Sequence, residues 1–391
     1  MGTGTSFVKR VNRRLKRDLN WVSRRLLHPV PMAHAADMPH ANFREIFPAE
    51  PFDMTRPDGF NDTDWRVFQA GMQPVVPATR LIDIVDAHVI EHDSWIFDKD
   101  GTAILGLWDP QGRMTEKQRI YAIDDTGPER LQKTEHLAGT TLLLNQVVAG
   151  NFYHFVNQIM PRLKIASEVI PLDQIDHFIT PDNTTGFMRE LLQCAGIDLD
   201  KVRPVTEAGH RCDRLIATSN PGPHHVPPVW ANDYLQAIAP DTPSPIKAKR
   251  IFVSRVDAPK RRLLNHDKVE ALLDDHGFEH IGMSGRSIAE QVAIFREAEI
   301  IVAVHGAALA HLVFCRPGTK IIELLPRNHL QPCFWTIGQM MGLDHSIILS
   351  TEKPLPVQKW RHDVNADLHI DLGELTNVVN SAIAAREPAQ A

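Results

Sequence analysis

The chain has 391 residues, 43% of them hydrophobic and 23% charged, which is typical of a globular protein with room for two or three domains. Its net charge of −6 argues against nucleic acid as a partner, and no apolar stretch reaches the roughly 20 residues that span a bilayer. The N-terminus lacks the apolar core of a secretory signal, and the four cysteines, at positions 194, 212, 315 and 333, form no close pair. These features predict a cytoplasmic protein without a zinc or redox motif.

Residues 1–27 form the first predicted element, a basic amphipathic helix. Apolar residues at positions 8, 11, 15, 19, 22 and 26 recur at helical spacing, and eight Lys or Arg residues lie between them against a single acid, Asp18. Such a helix fits an anionic membrane surface, and the alternative is docking on the protein's own surface. An anionic membrane contacted through residues 7–27 is therefore a candidate partner, which would place the protein peripherally at the inner face of the membrane.

The next two segments differ in regularity. Residues 28–80 are rich in proline and are predicted to be irregular, whereas residues 81–242 form a first α/β domain that opens with a β-meander. The run Asp98-Lys99-Asp100 resembles the Asp-x-Asp of metal-dependent sugar transferases, but Gly101 and the flanking apolar runs favour a hairpin turn. No metal site is therefore predicted, and the stretch 243–249 is the predicted domain boundary.

Residues 243–350 show the most regular pattern in the chain. Apolar runs beginning near residues 250, 278, 299, 320 and 346 alternate with helical patterns, among them one capped by Asn265 and one opened by a Ser287/Glu290 capping box. This alternation predicts a doubly wound parallel sheet covered by helices on both faces. Residues 351–391 are predicted to be a tail ending in a helix that starts at Asp371.

A His-Gly-Ala turn, residues 305–307, follows one of the buried strands. Ligands of open parallel sheets lie at the carboxyl ends of the strands, beside helix N-termini. The free backbone N–H groups of Ala307, Ala308 and Leu309 are expected to attract an anion there, with Gly306 allowing close approach. The alternative is that the turn only lets a helix pack close to the sheet.

A basic run, residues 254–262, follows the first strand of the same sheet. Arg255, Lys260, Arg261 and Arg262 are the basic residues of this run, in a chain that is acidic overall. Guanidinium groups suit bidentate contact with phosphate. A basic loop beside a free helix N-terminus is what a nucleotide diphosphate requires, although such runs are commonly solvated surface loops.

A third stretch, residues 150–163, lies in the first domain and reads "GNFYHFVNQIMPRL". Together the three stretches resemble glycosyltransferase family 61, over roughly residues 140–345. The resemblance implies two facing Rossmann-like domains of GT-B architecture, with a nucleotide-sugar substrate, and no other cofactor, in the second domain. It also implies inverting transfer without a metal bound through Asp-x-Asp. The matching residues are Asn151, His154, Pro161 and Arg162; Ser254, Arg255, Arg261, Arg262 and Asn265; Glu290 and Gln291; His305, Gly306, Ala307 and Leu309; and Pro317, Gly318, Thr319 and Glu323.

Two positions depart from the family pattern. The Asp or Glu that family members usually carry four residues after the histidine matched by His154 is Gln158 here, and the Thr-Asn that often follows the His-Gly-Ala motif is Ala310-His311. An amide cannot accept a proton near neutral pH, so His154 is the predicted general base, a packed core histidine being the alternative. Arg162 is assigned to the catalytic motif, and Asn151 and Gln158 to the acceptor side.

The predicted function is an inverting glycosyltransferase of bacterial surface-polysaccharide synthesis that acts on a glycan or glycolipid acceptor. Two alternatives stay open, a non-catalytic nucleotide or sugar binder and a GT-B-shaped nucleotide-sugar epimerase. The predicted donor-binding residues are Arg255, Arg261, Arg262, Asn265, Glu290, Gln291, His305, Gly306, Ala307, Leu309 and Glu323.

Overall fold

The computed structural model describes residues 31–70, 75–90, 94–105, 107, 128–182, 184–222, 226–256, 258–354 and 363–386. The basic segment 1–27 lies outside these residues. The described residues form two main β-sheets and a two-stranded ribbon. Helices cover both main sheets, and none of the helices in the described ranges is long and apolar enough to cross a membrane.

The first sheet is mixed. Its strands β8, β9, β10 and β11 are parallel and lie in the spatial order β10-β9-β8-β11, which is the 3-2-1-4 order of a Rossmann half when counted from β8. Antiparallel β5 then continues the sheet through β6, β7 and β1, with β2 also paired to β5. The strands are β1 (Met32–His34), β2 (Ala41–Phe47), β3 (Glu50–Pro51), β4 (Val75–Val76), β5 (Thr79–Ile90), β6 (Trp95–Phe97), β7 (Ala103–Leu105), β8 (Glu135–Leu143), β9 (His177–Thr180), β10 (Val202–Pro204) and β11 (His210–Thr218), of which β3 and β4 form the separate ribbon.

The hairpin predicted at Asp98-Lys99-Asp100 is confirmed. It joins the antiparallel strands β6 and β7, and Gly101 adopts the left-handed conformation with φ of 83°. The Asp98 carboxylate accepts hydrogen bonds from the backbone N–H groups of Asp100 and Thr102, at 3.0 and 2.7 Å. The turn itself therefore satisfies one oxygen of this carboxylate.

The second sheet confirms the predicted parallel arrangement. Its five strands lie in the order β13-β12-β14-β15-β16, which is the doubly wound order 2-1-3-4-5. Successive residues face opposite sides, so Ile301 and Val302 belong to different hydrophobic clusters, each covered by helices. The strands are β12 (Arg250–Val253), β13 (Glu279–Ile281), β14 (Ile300–Val304), β15 (Lys320–Leu325) and β16 (Asp344–Leu349).

Helices complete both layers. The Ser287/Glu290 capping box and the Asp371 cap are present as predicted. The α-helices are α1 (Asp62–Gln69), α2 (Phe152–His154), α3 (Pro161–Ser167), α4 (Gly186–Cys194), α5 (Val229–Ile238), α6 (His266–Asp275), α7 (Ile288–Glu297), α8 (Cys333–Met340) and α9 (Leu372–Ala384). A π-helix spans Phe155–Ile159, and 3-10 helices span Ala35–Asp37, Pro128–Lys133, Leu172–Gln174, Leu199–Lys201 and Ala307–Phe314.

Three local expectations are corrected. The segment 28–80, expected to be irregular, contains β1 to β4 and α1 and part of β5. The Asn265 amide does not cap α6, because it exchanges hydrogen bonds with the backbone N–H and C=O of Ile370 in the C-terminal segment. The helix after Gly306 is a 3-10 helix, and the Leu309 N–H donates to the Gly306 carbonyl at 2.9 Å, so that this amide is not free.

The two sheets share one hydrophobic core. A single cluster of buried side chains joins Leu142 and Phe178 of the first sheet to Ile301 and Ile321 of the second. Segment 54–68 also connects the units, since the indole of Trp335 in α8 donates to the Thr55 carbonyl at 2.9 Å. The carboxyl ends of both parallel strand sets are thus held in a fixed relation by packed side chains.

Candidate functional site

The motif at residues 151–167 is an interrupted helix after β8. The Asn151 side chain caps its start by accepting the Tyr153 N–H at 2.9 Å. The turn before Pro161 widens into the π-helix, and the Met160 N–H reaches back to the Phe155 carbonyl. Pro161 lacks an N–H and its ring would clash with the carbonyl four residues earlier, which accounts for the widened turn. Widened turns of this kind are frequent at functional sites.

Arg162 is buried at the switch point of the first sheet, where the chain crosses between β8 and β11. Its side chain is fully buried, and burial lowers the pKa of its guanidinium to about 9. Its hydrogen-bond acceptors among the described residues are all neutral oxygens. They are the Gln158 and Asn145 carbonyls at 3.2 and 3.1 Å and the side-chain oxygens of Gln146 and Asn220 at 2.5 and 2.7 Å. Arg162 therefore organises the two strand ends, and a substrate cannot reach it without rearrangement.

The Arg162 network fixes the protonation of His154. Arginine can only donate, so Gln146 turns its oxygen to Arg162 and donates from its Nε2 to the Gln158 side-chain oxygen at 2.7 Å. That oxygen also lies 2.8 Å from Nδ1 of His154, which must then be the protonated nitrogen. In neutral His154 the basic nitrogen is consequently Nε2. Gln158 thus orients the imidazole as an acid would, without its charge.

A second cluster lies at the carboxyl ends of β14 and β15. The Glu323 carboxylate is buried between two imidazoles, 2.5 Å from Nδ1 of His305 and 3.1 Å from Nε2 of His345. Burial alone would raise the pKa of Glu323, but the hydrogen bonds from both histidines outweigh it and bring the pKa to about 2. The carboxylate is therefore ionised, and its oxygens are occupied by imidazole donors.

His305 is held neutral by its surroundings. Burial lowers its pKa, the bond to Glu323 acts in the opposite direction, and the charges of Arg261 and Arg255 lower it further. The ring contacts Phe334 and His329, with centroids 4.9 and 5.4 Å away. With Nδ1 donating to Glu323, the unprotonated Nε2 points away from the carboxylate.

Arg255 lies against the backbone of Gly306. A Cβ atom added at Gly306 would stand 1.8 Å from Nη1 of Arg255, so any side chain there would displace the guanidinium. The strand ends involved, those of β12 and β14, form the switch point of the 2-1-3-4-5 sheet, where ligands of doubly wound folds bind. Sequence reasoning placed both residues there, and the structure brings them into contact.

The two adjacent arginines of the basic run diverge. Arg261 adopts a left-handed backbone conformation, with φ of 54°, which is uncommon for a residue with a side chain. Its guanidinium turns inward and donates to Nε2 of His329 at 3.3 Å. Arg262 is exposed and pairs with Asp367 of the C-terminal segment, 2.6 Å away. Arg261 and Arg255 are therefore the arginines near His305.

Aromatic contacts join the two clusters. Tyr153 of the interrupted helix meets Phe334 of α8 edge to face, with centroids 5.6 Å apart, and Phe334 packs on His305. The neighbouring Phe152 stacks on His311, at 4.7 Å. One aromatic ring thus separates the strand-end cluster of the second sheet from the residue preceding His154.

Other predicted site residues have structural contacts. Glu290 accepts from the backbone and hydroxyl of Ser287 in the capping box, and Gln291 donates to the Arg286 carbonyl. Sequence reasoning missed Gln146, Asn220, His329, Phe334 and His345, which no motif marks. Gln146, Asn220 and His329 follow parallel strands and Phe334 lies in a helix between two of them, which could have indicated them, whereas His345 lies within β16 and had no such signal. No group of three His, Cys, Asp or Glu side chains in the described part of the chain is placed to hold a metal ion.

The protein is an α/β protein with a doubly wound parallel sheet and arginines at its switch point, which is where ligands of such sheets bind. The family model described as Glycosyltransferase 61 matches residues 152–322, which runs from the interrupted helix to β15. The resemblance to this family that the motifs indicated is therefore confirmed over this segment.

Two curated relatives match a shorter stretch. They are "Beta-1,2-xylosyltransferase RCN11" of Oryza sativa subsp. japonica and "Beta-1,2-xylosyltransferase" of Arabidopsis thaliana, each 32% identical over 71 residues. The match covers 18% of this chain and 12% and 13% of the two relatives. The chain therefore aligns with only a small part of the length of these relatives.

Proposed function

We propose that the protein is an inverting glycosyltransferase of GT-B architecture that moves a sugar from a nucleotide-diphosphate donor to a glycan or glycolipid acceptor. One observation carries the proposal. Arg255, Arg261 and His305 meet at the switch point of a doubly wound sheet within a glycosyltransferase 61 segment. The similarity to enzymes named as β-1,2-xylosyltransferases supports sugar transfer as the reaction class.

The donor diphosphate would lie against Arg255, Arg261 and the turn at Gly306. Two guanidinium groups supply charge and directional donors, and the N–H groups of Ala307 and Ala308 at the start of the 3-10 helix add backbone donors. This arrangement favours Arg261 over Arg262 as the second phosphate contact, because Arg262 is engaged with Asp367. The leaving nucleoside diphosphate would be stabilised by these same groups, without a metal ion.

The acceptor would be activated by His154. Inverting transfer needs a group that takes the proton from the acceptor hydroxyl as its oxygen attacks the anomeric carbon and the diphosphate leaves. The Gln158 amide holds Nδ1–H of His154, which makes Nε2 the basic atom. Tyr153 and Phe334 bring this helix beside His305.

The test has two stages. Purified protein is screened by thermal shift against UDP-, GDP- and CMP-activated sugars, since a ligand that binds the folded state stabilises it by mass action. The stabilising donor is then incubated with and without candidate acceptors, and the anomeric configuration of the product is determined by NMR. An inverted glycoside supports the proposal, whereas the absence of stabilisation and turnover over the whole panel refutes it.

The presence of Gln158 favours a second candidate function, that of a non-catalytic nucleotide-sugar binder. The amide keeps the geometry of the Arg162 network but removes the acid that family members carry. A donor that binds without transfer or hydrolysis would support this reading. Gln158→Glu would then place a carboxylate 2.8 Å from Nδ1 of His154 and is expected to restore turnover. An epimerase would instead release a changed nucleotide sugar without any acceptor.

The cellular setting is also part of the proposal. We place the enzyme in bacterial capsular, exo- or lipopolysaccharide synthesis, at the cytoplasmic face of a membrane reached by residues 7–27. Each basic residue near an anionic surface contributes about 1 kcal/mol. Full-length protein is expected to sediment with phosphatidylserine vesicles, and deletion of residues 1–27 is expected to abolish this. Equal sedimentation of both forms would remove the membrane from the proposal.

A further inference from the structure

Among the described residues, Glu323 is the acid that contacts His305, yet its geometry does not suit a donor ligand. Its side chain is 1% exposed, and each carboxylate oxygen accepts from a different imidazole, His305 on one side and His345 on the other. A carboxylate that binds ribose hydroxyls needs an oxygen directed at the ligand. The carboxylate is instead engaged by the two imidazoles, 2.5 Å from Nδ1 of His305 and 3.1 Å from Nε2 of His345.

His345 completes this arrangement from β16. Its side chain is 2% exposed, its Nε2 donates to Glu323 at 3.1 Å, and its Nδ1 faces Gly338 of α8. A Cβ added at Gly338 would lie 2.6 Å from that Nδ1, so the glycine leaves the space that the ring occupies. Trp335 packs on the other part of the ring, with centroids 5.3 Å apart. The neighbouring helix thus holds His345 in place, and His345 holds the carboxylate.

We propose that Glu323 and His345 are positioning residues that fix His305 as its Nδ1–H tautomer, so that Nε2 of His305 faces the donor diphosphate and takes up a proton when the diphosphate binds. The positioning part stands on the geometry alone, and the proton uptake rests on the proposed function. No bond other than N–H forms, and the proton comes from solvent.

The charges around His305 explain why uptake would accompany binding. Without a ligand, the charges of Arg255 and Arg261 disfavour the protonated form of His305, Glu323 favours it, and the ring packs on the imidazole of His329. A diphosphate adds at least two negative charges on the side of Nε2. The imidazolium would then lie between two anions, the diphosphate in front and Glu323 behind, and would donate to a phosphate oxygen.

The first experiment needs no ligand. Protein labelled with ¹⁵N-histidine is studied by long-range ¹H–¹⁵N NMR at pH 7.5, and the His305 ring is assigned from its absence in His305→Gln. The expected signals are those of a neutral Nδ1–H ring. In His345→Leu the Glu323 carboxylate loses one hydrogen-bond donor, so the His305 ring signals and their dependence on pH are expected to change. In His345→Gln, which keeps an N–H donor, both are expected to resemble those of wild type. A His305 ring that carries its proton on Nε2, or that is unaffected by both His345→Leu and Glu323→Gln, overturns the proposal.

The second experiment counts protons. Binding of UDP and of GDP is measured by calorimetry at pH 7.5 in buffers of different ionisation enthalpy. Uptake approaching one proton is expected for wild type, and little uptake for His305→Gln. In Glu323→Gln the affinity should fall about tenfold or more, the range for a lost hydrogen bond to a charged group.

Controls separate the two claims. His154→Gln is expected to show wild-type proton uptake, because its ring lies in the other cluster. If the wild-type protein binds either nucleotide without taking up a proton, the proposed proton uptake is refuted. If neither nucleotide binds, the proposed donor site fails, and the ring spectra still decide whether Glu323 positions His305.

Discussion

Both parallel strand sets end in a cluster built from histidine and arginine, but within the described residues only the cluster on the second sheet contains a carboxylate. There Glu323 is ionised between His305 and His345. On the first sheet Arg162 is buried among neutral oxygens, and the pKa of its guanidinium falls to about 9. The difference shows that a histidine can be oriented either by a charged acceptor, as His305 is, or by a neutral amide, as His154 is.

The orientation achieved is the same, whereas the electrostatic consequence differs. A carboxylate stabilises an imidazolium, so His305 is suited to carry charge next to a phosphate. An amide fixes the tautomer without that stabilisation, so that Nε2 is the unprotonated nitrogen of the neutral His154 ring. The proposed function assigns the two clusters different tasks, charge stabilisation at the donor and proton removal at the acceptor.

The largest expected effect tests the task assigned to His154. His154→Gln should lower kcat by about 10²- to 10⁴-fold, the contribution of a general base, while donor affinity stays near that of wild type. The measurement is steady-state kinetics with the donor identified in the panel. The surface substitution His136→Gln is the matched control and should change neither quantity. A folded His154→Gln enzyme that keeps most of its kcat would move the base to another residue.

The next effect tests whether Arg162 is structural. Arg162→Met should lower the free energy of unfolding by about 3 to 5 kcal/mol, because it leaves buried oxygens of Gln146, Asn220 and the backbone without donors. Urea unfolding measures the change. Arg211→Met, which breaks a largely exposed pair with Asp86, should cost less than about 1 kcal/mol. Equal costs for the two variants would contradict a structural role for Arg162.

A third prediction concerns the pH dependence of stability and His311, which belongs to the aromatic contacts between the two clusters. His311 is stacked between Phe152 and Phe295, and burial lowers its pKa to about 4. Its pKa in the unfolded chain is about 6.5, so the unfolded state binds the proton first as the pH falls. The contribution of neutral His311 to the free energy of unfolding is therefore fully present above pH 6.5. It is lost as the pH falls from about 6.5 to 4, by roughly 3 kcal/mol in total.

The substitution His311→Asn, which introduces the residue usual in the family, removes that titration. The free energy of unfolding should then fall less steeply between pH 6.5 and 4.5 than in wild type, whatever its value at pH 7.5. The exposed His40 provides the control, and His40→Gln should keep the wild-type slope. An unchanged slope in His311→Asn would mean that other groups dominate acid unfolding.

The smallest effect distinguishes the arginines of the basic run. Arg255→Ala should weaken binding of the donor nucleotide by about 1.5 to 3 kcal/mol, the range for hydrogen bonds to charged groups. Arg262→Ala should change it by less than about 0.5 kcal/mol, because that guanidinium is exposed and paired with Asp367. Calorimetric titration measures both. A larger loss for Arg262 than for Arg255 would reverse the assignment of the phosphate contacts.

The sequence by itself determined the second sheet, its parallel arrangement, the hairpin at residues 98–101, the Ser287/Glu290 box and the family segment. These features depend on local signals, namely continuous apolar runs, capping residues and turn glycines, which act over a few residues. His305, Gly306 and Arg255 were also placed at one sheet edge, because parallel strands bring their carboxyl ends together. Periodicity and spacing were sufficient wherever the cause was local.

Only the tertiary structure decided which side chains meet. Asn265 has the residue type and position of a cap, yet Ile370, 105 residues away, takes its amide. Adjacent Arg261 and Arg262 turn to different partners because the backbone of Arg261 is left-handed. Glu323 and His345 meet only because β15 and β16 are neighbours in the sheet. The physical reason is the same in each case. A polar group is satisfied by whichever partner the packed chain brings within hydrogen-bonding distance, and sequence separation does not encode that distance.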